Sequence, residues 1–443
     1  MRRPILSRRQ LLGGALAGAG AAALAGCAPN VGPADRTTLQ FWHLLSGGDG
    51  ITMAELLDGI NDSQDDFFVR PTVLAWGTPY YTKLAMAGSG GRAPEVAVMH
   101  ASRVPGYVPG GLLDPWELDR LAEVDLDEST FTGPMWENSI VNGQLYSVPL
   151  DAHPFIMMYN TDICEQAGVL ESDGTITRPD SPDRFVELCE SIVDVTGGNA
   201  LSFGFLGDGA QLWRLFYTLY AQHGHLMEFP DGGEAVIDDD AFVNSLELMS
   251  RLVDGTIAST RADYDSAVAG FSTGQTGLFF TGVWELPTMV GAGLPLDATT
   301  IPTLYGTPAT YADSHSLVLP HQLDPDPEAR EHTYEFVSEL LKSSFSWAEA
   351  GHIPAYLPIV DSPEYDELLP QANYADAADQ LVYDPAAWFT GSGANFTNDV
   401  GQILQSTVTA GDGFEGALED FRSLVNSILA SPNPVDPEGA EQV

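Results

Sequence analysis

Residues 37–100 alternate between strand and helix patterns, and this alternation limits the chain to a small set of folds. "TTLQFWHLL" has the pattern of an apolar strand. It is followed by the glycine-rich "SGGDG" and by "ITMAELLDGINDS", in which apolar residues recur every three or four positions. "FFVRPTVLAW" predicts a second strand, "PYYTKLAMAGSGG" a second helix and "PEVAVMH" a third, buried strand. Strands that alternate with helices pair in parallel, so we predict an α/β fold.

The length of the chain predicts more than one domain. The 443 residues exceed what one ordinary hydrophobic core contains, so we expect two domains. Beyond residue 100, "GQLYSVPL" and "PFIMMYN" are predicted strands on either side of a polar break, "DAH". Residues 431–443, "SPNPVDPEGAEQV", are rich in proline and acidic residues and predict a disordered tail.

The first 27 residues have the layout of an export signal. Four arginines precede an uncharged run of Gly, Ala and Leu from position 11 to 26, which is too short and too rich in small residues for a membrane span. "SRRQLL" resembles a twin-arginine export signal, and "LAGC" resembles the lipobox of bacterial lipoproteins. That resemblance implies cleavage before Cys27, acylation of Cys27, and an anchor on the outer face of the cell membrane.

The charge of the chain excludes two classes of partner. The signal holds four of the 18 basic residues and no acidic residue, so 14 basic residues remain against 62 acidic ones, a net charge of −48. A surface of this charge repels nucleic acid and anionic lipid. It is compatible with solubility outside the cell and does not by itself name a function.

Six motifs follow one another in an order that resembles a known family. They are "GRAPEVAVMH", "GLLDPW", "NGQLYSVPLDAHPFIMMYNTDICEQAG", "SPDRFVELCESI", "FSTGQTGLFFTGVWELPTM" and "WAEAGHIPAYLPIV". Each motif alone is weak. In this order, and behind a lipobox, they resemble the extracellular solute-binding proteins of bacterial ABC importers (family 1), in the branch that serves carbohydrates and glycerol-3-phosphate. The resemblance extends over essentially the whole mature chain.

The resemblance implies a periplasmic-binding-protein-like α/β fold: two α/β lobes, joined by crossing strands, with a hinge and a central ligand cleft. The predicted organisation is a signal peptide with lipobox at 1–27, a tether at 28–37, lobe 1 at 38–150 and 303–322, lobe 2 at 151–302 and 323–430, and a disordered tail at 431–443. The polar, proline-flanked "VPLDAHP" is predicted to be the first crossing.

The predicted ligand-binding residues lie in loops at strand ends, where open α/β sheets bind ligands. Aromatic rings suit the C–H faces of a sugar, and polar side chains suit its hydroxyl rim. The candidates are Trp42, His43, Ser46, Asp49, His100, Arg103, Asp151, His153, Asp208, Trp213, Trp284, Tyr356 and Trp388. Of these, Trp284 in "TGVWE" matches an aromatic that often stacks on a sugar ring in the family. The remaining tryptophans, at 76, 116, 136 and 347, are predicted to be structural.

The predicted function is capture of a neutral di- or oligosaccharide and its delivery to the transmembrane subunits of an ABC permease. The alternative within the family is a glycerol-3-phosphate or glycerophosphodiester ligand, for which only Arg103 and Arg214 offer a cation among the candidate loops. A third predicted function, outside this family, is that of a cell-surface glycosidase. No nucleophile-elbow, zinc-protease or phosphate-loop motif is present in the sequence.

Cys164 and Cys189 both lie in predicted helices. Outside the cytoplasm they can form a disulfide, and the alternative is two buried thiols. No cofactor and no metal site is predicted: His223 and His225 form a pair without an evident third ligand, and a surface turn is the simpler interpretation.

Overall fold

The strands of the protein alternate with helices along the chain. The structure is a computed structural model that describes residue 33 and residues 35–434. Its strands are β1 (Thr37–His43), β2 (Phe67–Val73), β3 (Val96–His100), β4 (Leu113–Asp114), β5 (Ile140–Val141), β6 (Gln144–Leu145), β7 (Ser147–Pro149), β8 (Asp151–Asn160), β9 (Leu201–Ser202), β10 (Leu278–Gly282), β11 (Leu296–Thr300), β12 (Thr310–Asp313), β13 (His315–Pro320), β14 (Ile353–Pro354) and β15 (Leu381–Val382).

The helices between the strands supply the outer layers. The α-helices are α1 (Gly47–Ser63), α2 (Thr78–Ser89), α3 (Leu118–Glu123), α4 (Gly133–Asn138), α5 (Thr161–Ala167), α6 (Pro182–Thr196), α7 (Gly209–Ala221), α8 (Asp239–Leu252), α9 (Tyr264–Ser272), α10 (Leu286–Gly291), α11 (Pro327–Lys342), α12 (Phe345–Glu349), α13 (Leu357–Val360), α14 (Pro363–Asp366), α15 (Asn395–Ala410) and α16 (Phe414–Leu429). Four short 3₁₀ helices are Ala101–Gly106, Glu128–Thr130, Val283–Glu285 and Gln371–Asp379. None of the helices described is long and apolar enough to cross a membrane.

The first sheet contains the strands predicted from the start of the sequence. Its strand order is β2-β1-β3-β13-β4, with β7 paired to β13. Strand β1 is parallel to β2 and β3, whereas β13 is antiparallel to β3. Leu39 and Phe41 point into the core, and Gln40 between them is partly exposed, as the period of a strand requires. The predicted α/β class is confirmed, and its first three strands are parallel as predicted, whereas the sheet as a whole is mixed.

The second sheet is built around β8, whose ten residues are all buried. β10 and β11 pair with its carboxyl half, and β12 and β14 pair with its amino half. Phe155 and Met157 pack into one apolar cluster, while Ile156 and Met158 pack into another on the opposite face. Both faces are covered, so the strand is apolar throughout instead of alternating.

The two sheets meet where the chain passes from one to the other. β7 belongs to the first sheet and β8 to the second, so the chain crosses at Leu150. It returns between β12, in the second sheet, and β13, in the first. The backbone N–H of Leu150 donates to the carbonyl oxygen of His315 at 2.8 Å, which joins the two crossings side by side.

The predicted assignment of residues 323–430 to the second lobe is wrong in its first part. Helix α11 packs on β1 and α1 of the first sheet. Its Phe336 ring lies 5.4 Å from Phe41 and 6.5 Å from Phe67, centroid to centroid. The apolar face of α11 covers a face of the first sheet that would otherwise remain open. Helices α15 and α16 do pack with α7 and α8 against the second sheet's core.

Several predictions fall at the ends of the chain. The signal peptide with Cys27 lies outside the described residues, as do most of the predicted tether and most of the predicted tail.

Cys164 and Cys189 are free thiols, so the predicted alternative of a disulfide is not what the structure contains. Both are fully buried in the core of the second lobe. Cys164 Sγ lies 3.8 Å from the carbonyl oxygen of Gly277. Burial raises the pKa of the Cys164 thiol to about 12, and burial also raises the pKa of Cys189.

We expect neither thiol to react with a thiol-specific disulfide reagent in the folded protein at neutral pH, because the thiolate is scarce and the reagent has no access. In denaturant without reductant, both thiols should react. The measurement is a thiol count in a Cys27→Ala background, which removes the third cysteine. Thiols that become reactive in denaturant only after a reductant is added would instead reveal a disulfide.

Candidate functional site

The candidate site is a cleft between the two lobes with a cavity volume of about 410 Å³, a size typical of small-molecule sites. The lining residues come from both sheets. They are Leu44, Leu45, Ser46, Gly47, Gly48, Asp49, Trp76, His100, His153, Asp208, Ala210, Arg214, Tyr264, Trp284, Glu285, Thr288 and His315.

One wall is the amino end of α1. Ser46 and Asp49, both predicted from "SGGDG", line the cleft here with the glycines between them. Gly47 has a φ of +60°, a conformation that favours glycine, and it lets the chain turn directly from β1 into α1. Asp49 Oδ1 lies 3.1 Å from His352 Nε2, so its carboxylate is held at the inner edge of the wall.

The opposite wall is the amino end of α7. Asp208 caps this helix by accepting from the N–H of Gln211 at 3.1 Å. Ala210 and Arg214 follow on the cleft face, and Arg214 Nη1 donates to Gln211 Oε1 at 3.1 Å. Arg214 is the one Lys or Arg among the residues that line this cleft.

Trp284 lies beside Arg214 and not on an open wall. The guanidinium carbon of Arg214 is 4.7 Å from the centroid of the Trp284 indole. The six-membered ring of that indole packs on Gly282, and a side chain at position 282 would overlap it, because even a Cβ has no room there. The indole N–H donates to Tyr264 Oη at 2.8 Å, and Tyr264 in turn donates to Glu285 Oε1 at 2.5 Å. Burial raises the pKa of Glu285, and the hydrogen bond from Tyr264 opposes that shift.

Three histidines form the floor of the cleft: His100, His153 and His315. The rings of His153 and His315 are stacked, with centroids 4.2 Å apart, and the His100 centroid is 5.3 and 5.0 Å from them. Burial, followed by the charge of His315, lowers the pKa of both His153 and His100.

Asp151 lies behind the floor with no exposed surface. Its Oδ1 accepts from the backbone N–H of His315 at 2.9 Å and from His153 Nδ1 at 3.1 Å. Its Oδ2 accepts from His315 Nδ1 at 2.9 Å and from Trp347 Nε1 at 2.6 Å. Burial alone would raise the pKa of Asp151, but the charges of His315 and His352 and these hydrogen bonds hold it well below its usual range.

The ionised Asp151 fixes the tautomers of the two floor histidines. A carboxylate can only accept, so the Nδ1 atoms of His153 and His315 carry the protons. Burial lowers the pKa of His153, so its ring is neutral and its Nε2 is a hydrogen-bond acceptor. Neither this Nε2 nor that of His315 has a protein hydrogen-bond partner within residues 35–434. The floor therefore offers two unpartnered imidazole nitrogens to a ligand.

His352 completes this group behind the floor. It has no exposed surface, its Nε2 faces Asp49, and its Nδ1 lies 3.1 Å from Asp151 Oδ2. Burial acts to lower the pKa of His352, but the two carboxylates outweigh it and raise that pKa to about 10. The ring is therefore positively charged at neutral pH.

Six of the thirteen predicted ligand residues line the cleft: Ser46, Asp49, His100, His153, Asp208 and Trp284. The structure brings them together from five separate segments. It adds Trp76, Arg214, Tyr264, Glu285 and His315 to the lining. Trp76 was expected to be structural, yet 46% of its surface is exposed, whereas Trp116, Trp136 and Trp347 are buried as predicted.

Four predicted residues are buried away from the cleft. Asp151 lies behind its floor, and His43 is 98% buried at the end of β1, where burial and His315 lower its pKa to about 4. Trp213 is fully buried in the second lobe, and Tyr356 packs against Phe131, 6.2 Å between centroids. These four side chains do not line the cleft, so they are not placed to contact a ligand there, contrary to the prediction.

Three others face different surroundings. Trp42 lies under Lys83, whose Nζ is 4.9 Å from the indole centroid. Arg103 and Trp388 line a separate cavity of about 520 Å³ between α2 and the start of α15. Arg103 Nη1 donates to the carbonyl oxygen of Thr390 at 2.9 Å, so it joins two segments that are far apart in sequence.

Helix periodicity explains the error at Trp213. The apolar stripe of α7 contains residues 213, 216, 217 and 220, at helical spacing, and it packs into the core. Arg214, one position on, is turned by about 100° toward the cleft. The stripe was readable in "QLWRLFYTLY" and would have favoured Arg214 over Trp213 as the ligand-facing residue.

Trp213 is held in the core by a buried carboxylate. Its indole N–H donates to Asp384 Oδ1 at 2.5 Å, and Tyr311 donates to Asp384 Oδ2 at 2.9 Å. Burial, and then the charge of Asp313, raise the pKa of Asp384 to about 6, while the two hydrogen bonds oppose the shift.

Because the pKa of Asp384 is raised in the folded state, the free energy of unfolding should depend on pH. The folded state binds this proton more tightly than the unfolded state, so the stabilisation is complete below the ordinary pKa and is lost as pH rises through about 6. From about pH 4 to about pH 7, the unfolding free energy of the wild type should fall by roughly 2 kcal/mol relative to Asp384→Asn.

Denaturant unfolding at several pH values provides the measurement. Asp376→Asn, at an exposed carboxylate nearby, is the matched control and should change in parallel with the wild type. A constant difference between the wild type and Asp384→Asn across this range would contradict the prediction.

The comparisons with known proteins agree with this architecture. The family model described as bacterial extracellular solute-binding protein matches residues 77–367. The chain therefore belongs to the bacterial extracellular solute-binding proteins, a family of exported proteins, and the resemblance inferred from its motifs is confirmed.

Two curated relatives are similar over part of the chain. One is the sn-glycerol-3-phosphate-binding periplasmic protein UgpB of Yersinia enterocolitica, 24% identical over 213 residues, which are 46% of each chain. The other is the lactose-binding protein of Rhizobium radiobacter, 25% identical over 160 residues, which are 36% of each chain. The matches span about half the length of these relatives or less.

Solved structures show the fold over most of the chain. The sugar-binding protein MalE of Xanthomonas citri superposes with a TM-score of 0.75 at 16% identity, covering 92% of this chain and 100% of its own. The GacH receptor of Streptomyces glaucescens gives 0.73 at 17% identity, covering 89% and 98%. The predicted two-lobed binding-protein fold is confirmed.

Proposed function

We propose that this protein is a lipid-anchored substrate-binding protein of an ABC importer, which captures a neutral di- or oligosaccharide in the interlobe cleft and delivers it to the permease. The observation that carries the ligand class is the floor of the cleft, where His153 and His315 present two unpartnered Nε2 atoms. A sugar hydroxyl can donate to such a nitrogen or accept from it.

The walls of the cleft favour the same ligand. The carboxylates of Asp49, Asp208 and Glu285 add acceptors, against a single cation at Arg214. The exposed indole of Trp76 offers an apolar face to the C–H surface of a sugar ring. A neutral ligand rich in hydroxyl groups satisfies these acceptors without bringing another negative charge.

The similar proteins support a sugar. One relative is a lactose-binding protein, and similar solved structures are of proteins that bind acarbose, cyclic α-maltosyl-1,6-maltose and maltose. Capture by closure of two lobes requires that the ligand contact both lobes and so favour the closed state. The cleft lining draws on both sheets, which supports that mode.

A glycerol-3-phosphate or glycerophosphodiester ligand is the second candidate, because one specific feature favours it. Arg214 and the amino ends of α1 and α7 all meet the cleft, and helix amino ends attract anions. The UgpB relatives are named for glycerol-3-phosphate. The three carboxylates of the cleft oppose a phosphate, so we place this candidate second.

The lipid anchor is part of the proposal. The "SRRQLL" and "LAGC" segments support export, by the twin-arginine route, and acylation of Cys27 at the outer face of the membrane. Intact mass and detergent partitioning, compared between the wild type and Cys27→Ala, would test this step.

The ligand class can be tested by thermal shift and calorimetry with maltose, lactose, longer maltodextrins, glycerol-3-phosphate and glycerophosphocholine. A ligand at about one hundred times its Kd should stabilise the folded state by about 2.7 kcal/mol. We expect a sugar to do so, and Trp76→Ala to weaken its binding roughly tenfold through loss of the ring contact. Trp42→Ala, outside the cleft, is the control and should bind as the wild type does.

Arg214 separates the two candidate ligands. Arg214→Met removes the cleft cation, so it should abolish binding of a phosphate ligand and change the affinity for a neutral sugar by less than about tenfold. Arg261→Met removes an exposed arginine of the second lobe and serves as the charge control. Binding of phosphate ligands alone, lost in Arg214→Met, would replace the sugar proposal by the second candidate.

A further inference from the structure

Four buried side chains converge where the strands cross between the lobes. Asp151, His153, His315 and His352 each offer one ligand atom, and these four atoms all lie within 4.8 Å of one another. All four residues are buried. They come from β8, from the first residue of β13 and from the turn before β14, so the group joins the segments that connect the two lobes.

The histidine nitrogens face a common centre. His315 Nδ1 lies 2.9 Å, and His153 Nδ1 and His352 Nδ1 each 3.1 Å, from an oxygen of Asp151. Around a tetrahedral zinc ion with bonds of about 2.0–2.1 Å, neighbouring ligand atoms are about 3.3–3.4 Å apart. The three nitrogen–oxygen contacts would therefore lengthen by a few tenths of an ångström, and the ligand atoms that lie farther apart, within the 4.8 Å limit of the group, would close toward the ion.

One atom of the group is unsatisfied. His352 Nδ1 is buried and forms no hydrogen bond, and its contact with Asp151 Oδ2 at 3.1 Å is an ion-pair contact. A buried polar atom without a partner is costly, and it calls for an explanation such as an ion. Its other nitrogen, Nε2, faces the carboxylate of Asp49 at 3.1 Å, the outer contact that metal-bound histidines commonly make.

A metal ion would take the place of the proton on His352 between two carboxylates. Asp151 is fully buried and Asp49 is partly buried at the cleft wall, and neither forms an ion pair with any Lys or Arg among the described residues. Their ionic partners are imidazoles. Trp347 Nε1 and the backbone N–H of His315 additionally bind the Asp151 carboxylate and fix its orientation.

We propose that Asp151, His153, His315 and His352 form a structural site for a divalent transition metal of the zinc class, which fastens the strand crossings together. Three imidazole nitrogens and one carboxylate suit zinc and disfavour calcium or magnesium, which take oxygen ligands. Four protein ligands fill a tetrahedral shell, so the site is closed and has a structural and not a catalytic role. The inference concerns the crossings and does not depend on which solute the cleft takes.

Metal content of untagged protein is the first test. Chelator-treated protein is mixed with zinc chloride, passed through a desalting column and analysed for bound metal. We expect about one zinc per chain and a Tm above that of the stripped protein. Cobalt(II) in place of zinc should give the intense visible absorption of a tetrahedral site. This spectrum is measured on the wild type, so it remains informative if a variant fails to fold.

Two variants locate the metal. His352→Gln and Asp151→Asn should lose both the bound zinc and the rise in Tm. His321→Ala, which removes a half-exposed histidine paired with Asp114, should keep both. The proposal is overturned if the stripped wild type takes up neither ion, if bound cobalt has the weak spectrum of an octahedral site, or if folded His352→Gln retains as much zinc as His321→Ala.

Discussion

The buried carboxylate of Asp151 is the interaction on which the joining of the lobes depends. A fully buried negative charge is strongly destabilising unless donors or cations surround it. Here four N–H groups donate to it, and the His352 ring lies 3.1 Å away. These groups belong to β8, to the start of β13 and to residues 347–352, so a single charge draws the crossing segments of the chain to one point. Loss of that charge would leave several buried donors unpaired at once. The segments that cross between the lobes are therefore stabilised together.

The same carboxylate determines the chemistry of the cleft. By accepting from the Nδ1 atoms of His153 and His315, it directs their Nε2 atoms toward the ligand, and the Nε2 of the neutral His153 ring is an acceptor. A metal bound at the Nδ1 atoms would move the protons to Nε2, and the floor would then donate. Sugar hydroxyls both donate and accept, so the proposed ligand class is compatible with either state of the floor.

The sequence located residues of the cleft only where a motif or pattern of neighbouring residues marked their position. "SGGDG" follows β1 and opens α1, so placing Ser46 and Asp49 at a sheet edge needed only the rule for open α/β sheets. Asp208 was chosen from the family resemblance of "LGDGAQLWRLF", and it also lines the cleft. Trp213 was misassigned because its loop was considered without the helical stripe that follows, and the stripe turns Trp213 inward and Arg214 outward. Trp76 was missed because an exposed tryptophan in a connecting loop has no distinguishing local pattern.

The sequence by itself determined the α/β class, the large negative charge, the order of motifs that marks the family, and an amino end that reads as an export signal. Each of these depends on composition or on residues close together in the chain. The tertiary structure decided which histidines share Asp151, where α11 packs, and that Cys164 and Cys189 remain thiols. His315 is 164 residues from Asp151, and His352 is 303 residues from Asp49. Contacts at such separations leave no periodicity in the sequence, because they are set by how the two sheets and their crossings pack.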